Sequence, residues 1–148
     1  MPKVPVLILN GFLGSGKTTL LTNLLVQSHK RQLSIGVVVN DMSKLDVDGL
    51  LVAQTEFFEK NDSNFQSVYS CVLSSKKGLK KLSDSLNQMV LTNAPELLLI
   101  ETSGSCHPMP LIEFFSKQSQ FKLTGVLALV DSAMIDQDYD CGKQLVPT

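Results

Sequence analysis

Apolar and polar residues alternate along this chain in two rhythms. Short continuous apolar runs, VPVLIL at Val4 to Leu9, SIGVVV at Ser34 to Val39, LLLI at Leu97 to Ile100 and GVLALV at Gly125 to Val130, suit strands covered on both faces. Pro5 lacks an amide hydrogen and moves the expected start of the first strand toward Val6. Between the runs, apolar residues recur at helical spacing. Leu20, Leu21, Leu24 and Leu25 mark a helix from Lys17 to about Val26, and Leu79, Leu82, Leu86, Met89 and Val90 mark a second, opposite a polar face of Lys80, Lys81, Asp84 and Asn87. Pro95 stops that helix, and Pro110 to Phe115 opens a third. Ser67 to Leu73 shows partial alternation and reads as a short strand. From Asp41 to about Asn64 the pattern is mixed, with a helical turn or two over Leu50 to Phe58.

Buried strands alternating with amphipathic helices predict an α/β fold, a mostly parallel sheet with helices on both faces. Ligands of such sheets bind beyond the carboxyl ends of the strands. The polar residues ending these strands are Asn40 with Asp41, Glu101 and Asp131, so acidic groups are expected along one edge.

Composition narrows the partners. The 148 residues suit one domain, and with 18% charged residues and a net charge of −1 no global field favours nucleic acid or a membrane surface. Three scattered cysteines, Cys71, Cys106 and Cys141, do not form a disulfide framework and suit a reducing, cytoplasmic setting. No apolar run reaches the roughly 18 residues of a membrane span, and no signal-peptide pattern is expected at the amino terminus.

The chemistry lies in GFLGSGKTTL, directly after the first strand. Gly11, Gly16, Lys17 and Thr18 fit GxxxxGK(S/T), with Gly14 and Ser15 inside it. Glycines let successive amides turn inward on an anion, and the helix that follows adds the partial positive charge of its amino terminus. In such a loop Lys17 reaches the β and γ phosphates, Thr18 ligates Mg²⁺, and Thr19 contacts the α phosphate. A chance match in a chain this long has a probability of about 1% or less. A magnesium ion also calls for acidic partners, for which Glu101 and Asp41 are the candidates. The loop reads phosphates and not the base, so an ATP-using kinase or ATPase remains an alternative to a GTPase.

GFLGSGKTTL, VVVNDMSKLDVDG, LLLIETSGSCHPMPLIEFF and LTGVLALVDSAMI, in this order and spacing, resemble the CobW-type metallochaperone GTPases, P-loop enzymes that include the urease and hydrogenase nickel-insertion GTPases. The resemblance covers nearly the whole chain. It implies a doubly wound domain that hydrolyses GTP slowly with Mg²⁺ and hands zinc, cobalt or nickel to a client protein. It also implies that Gly14 to Thr19 bind phosphate, that Asn40 and Asp41 lie in the first switch, and that Glu101 and Gly104 of ETSG are the acidic strand end and the glycine that senses the γ phosphate.

Three departures qualify what it implies. The family's Cys-x-Cys-Cys metal motif falls on SCVLSS, where Cys71 is kept but Leu73 and Ser74 replace the other two cysteines. One thiolate does not make a tight zinc site, which needs four N or S ligands. Lys44 stands where many relatives carry an acid, and the NKxD-like motif that specifies guanine is not found before Thr148. Residues 1–148 are therefore expected to be a P-loop GTPase domain without the part that reads the base, and a non-catalytic nucleotide-binding or interaction remnant is the other reading. Cys106 with His107 reads as ordinary loop, and Lys76, Lys77, Lys80 and Lys81 as a solvated helix face. The carboxyl-terminal side of the sheet is the expected edge for a homodimer.

Overall fold

The computed structural model describes residues 2–11, 17–41, 64–69, 71–104 and 106–129. The described elements follow the order β1 (Val4–Gly11), α1 (Lys17–Lys30), β2 (Ile35–Asp41), β3 (Phe65–Tyr69), α2 (Lys76–Asn93), β4 (Leu97–Glu101), α3 (Pro108–Ser116) and β5 (Phe121–Leu129). The five strands form one sheet in the order β3-β2-β4-β1-β5, with every neighbouring pair parallel.

Parallel neighbours need a crossover, and a right-handed crossover fixes the covered face from the direction of travel. From β1 the chain crosses β4 in one direction to reach β2, with α1 on one face. The steps from β3 to β4 and from β4 to β5 run in the opposite direction, with α2 and α3 on the other face. Two cores result. Leu21 and Leu25 of α1 pack on Leu9, Val37, Val39 and Leu99. Leu82, Leu86 and Met89 of α2, with Leu111 and Phe115 of α3, pack on Val6, Ile8, Val38, Leu98 and Ile100. Alternate residues of the central strands thus feed opposite faces, which accounts for the continuous apolar runs.

The structure corrects three local expectations. Strand β1 starts at Val4, not Val6. The Val4 amide donates to Gln120 O of the β5 side at 2.8 Å, so the next peptide group, at Pro5, faces the β4 side, where pairing begins only at Val6 with Leu98; no ladder bond is lost to the proline. Residues Ser67 to Leu73 do not form one strand: β3 ends at Tyr69 and Cys71 to Ser75 form a turn. Finally, β5 starts at Phe121 and lies at the edge of the sheet formed by the described strands. Its inner end is buried at Phe121 while Leu127 is 44% exposed, so the described part of the run, Gly125 to Leu129, is not covered on both faces; Val130 lies outside the described residues. In the β1–β5 ladder Val6 pairs with Leu123 and Leu7 with Gly125. Thr124 is the extra residue of a bulge, and its hydroxyl donates to Val6 O at 2.9 Å. The segment containing Lys44 and Leu50 to Phe58, and the tail with Asp131 and Cys141, lie outside the described residues.

Candidate phosphate-binding edge

The ladder registers bring the candidate residues to one edge. Glu101 pairs with Leu9 of β1 on one side and with Val39 of β2 on the other. Gly11 therefore lies two residues beyond Glu101 on one neighbouring strand, and Asp41 two residues beyond it on the other. Given a strand spacing of about 4.8 Å, the exits of β1 and β2 lie about 10 Å apart across β4. Asp41 in turn pairs with Tyr69, two residues before Cys71. Helix α1 begins at Lys17, so the glycine loop spans from the end of a central strand to a helix amino terminus. Thr18 lies in its first turn and Thr19 is exposed there. Gly14, Ser15 and Gly16 lie outside the described residues.

Glu101 is buried, at 8% exposure, at the end of a central strand. Ionised carboxylates are kept in such positions when they are paired or hold a cation. After it, Thr102 is buried and Gly104 lies in the loop that leads to α3. Glu101, Asp41 and Thr18 are hard oxygen donors, a set that suits Mg²⁺ rather than a soft metal.

Two asparagines organise this edge, and neither role was expressed in the sequence pattern. Asn10, the last residue before Gly11, accepts from the Gly11 amide at 2.9 Å and from the Thr102 hydroxyl at 2.9 Å, and donates to Cys106 O at 3.4 Å. Asn40 is 4% exposed. It donates to Val68 O at 3.2 Å and Cys71 O at 2.8 Å, and accepts from the Leu73 amide at 3.1 Å. Both donors and the acceptor of Asn40 are thus committed to the turn after β3, although its position at a strand end had grouped it with the ligand-facing residues. The signal available to sequence reading was limited to a polar residue closing an apolar strand.

Cys71 and Cys106 are buried free thiols, and both belong to the core under α2 and α3. Among the described residues no three His, Cys, Asp or Glu side chains gather as a metal site. Among the described residues Cys71 has no companion thiolates or imidazoles that would complete a zinc site. A groove of about 610 Å³ lined by Lys3, Ile112, Phe115, Phe121 and Lys122 sits at the opposite, amino-terminal ends of β1 and β5, away from the strand exits. Among the described residues no helix is long and apolar enough to cross a membrane.

The architecture matches that of solved signal recognition particle receptors. FtsY from Elizabethkingia anophelis aligns with a TM-score of 0.59 and 18% identity, over 100% of this chain and 49% of that one. FtsY from Physcomitrella patens chloroplasts aligns at 0.56 and 16%, over 100% and 48%. This likeness defines the class by its fold, the α/β architecture of a P-loop nucleoside triphosphatase. Within that class the chain belongs to the CobW/HypB/UreG family, whose nucleotide-binding domain matches residues 5–146. It is 33% identical to the zinc chaperone YjiA of Escherichia coli strain K12, over 93% of this chain and 43% of that protein. It is 30% identical to the zinc-regulated GTPase metalloprotein activator 1 of Dictyostelium discoideum, over 97% and 33%. The chain thus spans less than half the length of these relatives.

Proposed function

We propose that this nucleotide-binding domain binds GTP with Mg²⁺ at the carboxyl edge of its sheet and hydrolyses it slowly. The observation that carries this reading is the convergence of the Gly11 strand exit, the Lys17 helix start, Asp41 and the buried Glu101 on one edge. Membership of a family with relatives named as GTPases supports it.

In this reading the amides from Gly14 to Thr19 cradle the phosphates, and Lys17 neutralises charge on the β and γ phosphates. Thr18 would hold the magnesium ion, with Asp41 and Glu101 as acidic partners. When bound, Mg²⁺ would supply neutralisation of the negative charge on the phosphates. Gly104 presents its amide to the γ phosphate. Water attacks the γ phosphorus in line, the bond to the bridging oxygen breaks, and GDP and inorganic phosphate leave. Glu101 and Asp41 are the candidates for orienting that water.

The relatives named as zinc chaperones suggest metal delivery to a client protein, but in this chain Leu73 and Ser74 replace two cysteines and Cys71 is buried. We therefore propose that metal handling is degenerate here. That same observation favours the second reading, a nucleotide-binding remnant without turnover. Titration calorimetry with GTPγS and Mg²⁺ tests the assignment. The parent protein is expected to bind, and Lys17→Ala to bind at least about 100-fold more weakly; comparing GTP with ATP analogues separates the GTPase from the ATP-using reading. No binding by the parent would overturn the assignment. Bound GTP that survives intact through a single-turnover assay would select the remnant over the enzyme.

A further inference from the structure

The side chain of Asn10 touches two loops at once. Its Oδ1 receives the Gly11 amide, the first of the glycine loop, and the hydroxyl of Thr102, while its Nδ2 donates to Cys106 O. The loop on the other side is itself fastened. The Thr102 amide donates to Leu9 O at 3.0 Å, and the Cys106 amide closes a turn on Ser103 O at 3.0 Å. Thr102 has one hydroxyl proton, which it divides between Leu9 O at 3.3 Å and Asn10 Oδ1 at 2.9 Å. The shorter contact is the one to Asn10. Thr102 is 1% exposed, so water does not readily replace either partner. Gly11 takes a φ of 158°, a backbone setting that glycine reaches at little cost, and the Asn10 carbonyl oxygen holds that amide in place.

We propose that Asn10 is a positioning residue that fixes the take-off of the glycine loop and fastens it to the 102–106 loop, so that phosphate bound in the first is felt at Cys106 in the second. The inference rests on the nucleotide reading above, because it treats the two loops as contacts for one triphosphate. Asn10 itself need not touch the ligand, since its carbonyl oxygen and its amide are both engaged by protein. What it supplies is a common reference for two loops that belong to different strands.

The test combines Asn10→Ala, Thr102→Val and the double variant. Two quantities are read: GTPγS affinity with Mg²⁺ by calorimetry, and the rate of Cys106 alkylation by iodoacetamide, resolved by peptide mass spectrometry. In the parent, GTPγS is expected to slow Cys106 alkylation. Each single variant should weaken GTPγS by about tenfold, the equivalent of one lost hydrogen bond. The double variant should be no weaker than Asn10→Ala, because both changes break the same tie. Nucleotide should no longer protect Cys106 in any of the three.

Leu86→Ala, in the core under α2, is the control for stability loss alone, and it should retain both affinity and protection. Independent, multiplying losses from the two single changes would overturn the proposal, as would full protection of Cys106 in the variants or the same losses in Leu86→Ala. Thr102→Val, which keeps the side-chain volume, decides the matter if Asn10→Ala does not fold. If the parent fails to bind GTPγS, the nucleotide reading falls separately, and alkylation of the nucleotide-free proteins judges the tie. Faster labelling of Cys106 in both single variants supports it, and unchanged rates overturn it.

Discussion

At the scale of single residues, the fate of Asn40 shows how a strand-end polar group can be a brace. Three hydrogen bonds at 4% exposure mean that removing the side chain takes a partner from two carbonyls and one amide at a site closed to water. Val68 O keeps its place in the β2–β3 ladder, and a buried group left with no partner costs about 1–3 kcal/mol before relaxation. Asn40→Ala is therefore expected to lower the unfolding free energy by about 2–4 kcal/mol, measured by urea denaturation. A loss below 1 kcal/mol would mean that the 71–73 turn holds without it. Asp41, next along the chain, was legible as a candidate because acids at carboxyl ends of strands face the ligand edge. The bonding of Asn40 was not, since its partners Val68, Cys71 and Leu73 lie 28 to 33 residues away and nothing local marks them. Cys71 was legible as the one cysteine at the position of the family's metal motif, and it is a buried free thiol.

At the scale of elements, the start of α2 follows from the turn that Asn40 holds. Ser75 caps the helix, its hydroxyl oxygen accepting from the Gly78 amide at 3.0 Å, so Ser75→Ala should cost about 1 kcal/mol. Gly78 lies directly under that turn. A methyl group there would overlap Val72 O and come within 2.7 Å of Leu73 Cα, both backbone atoms. Alanine gains about 1 kcal/mol of helix propensity over glycine, yet the clash decides the sign. Gly78→Ala should destabilise by about 3 kcal/mol or more, and thermal unfolding of the variant checks it; a raised melting temperature would refute it. The helix was readable from its apolar stripe, whereas its first turn was not, because Lys76 and Lys77 carry no amino-terminal signature and the glycine's reason is a contact. Likewise β5 read as a buried strand because GVLALV is apolar throughout. Its edge position is a fact of strand order, which hydrophobicity alone does not encode.

For the whole molecule, the parallel sheet with helices on both faces was legible because it depends on local runs, and the gathering of Gly11, Asp41 and Glu101 at one sheet edge because each ends such a run. The order of strands and the asparagine ties depend on contacts between distant segments, so the chain alone did not disclose them. The sheet divides the interior into two cores with different helices. Leu25→Ala on the α1 side and Leu86→Ala on the α2 side should each cost about 2–5 kcal/mol, and in combination should add to within about 0.5 kcal/mol, as for sites without shared partners. A larger departure in chemical denaturation would show that the strands relay packing from face to face. One last feature bears on descent and engineering. Side chains of β5 beyond Thr124 keep their orientation only because the ladder absorbs that additional position, and a strand slipped by one inverts every side chain after it. Loss of the Thr124 codon would leave Leu123 and Gly125 opposite Val6 and Leu7 in a regular ladder, with Val126 still facing the core beside Ile8, whereas a codon lost further along would invert the residues after it, so lineages and designers alike can shorten this strand at the bulge or at its ends.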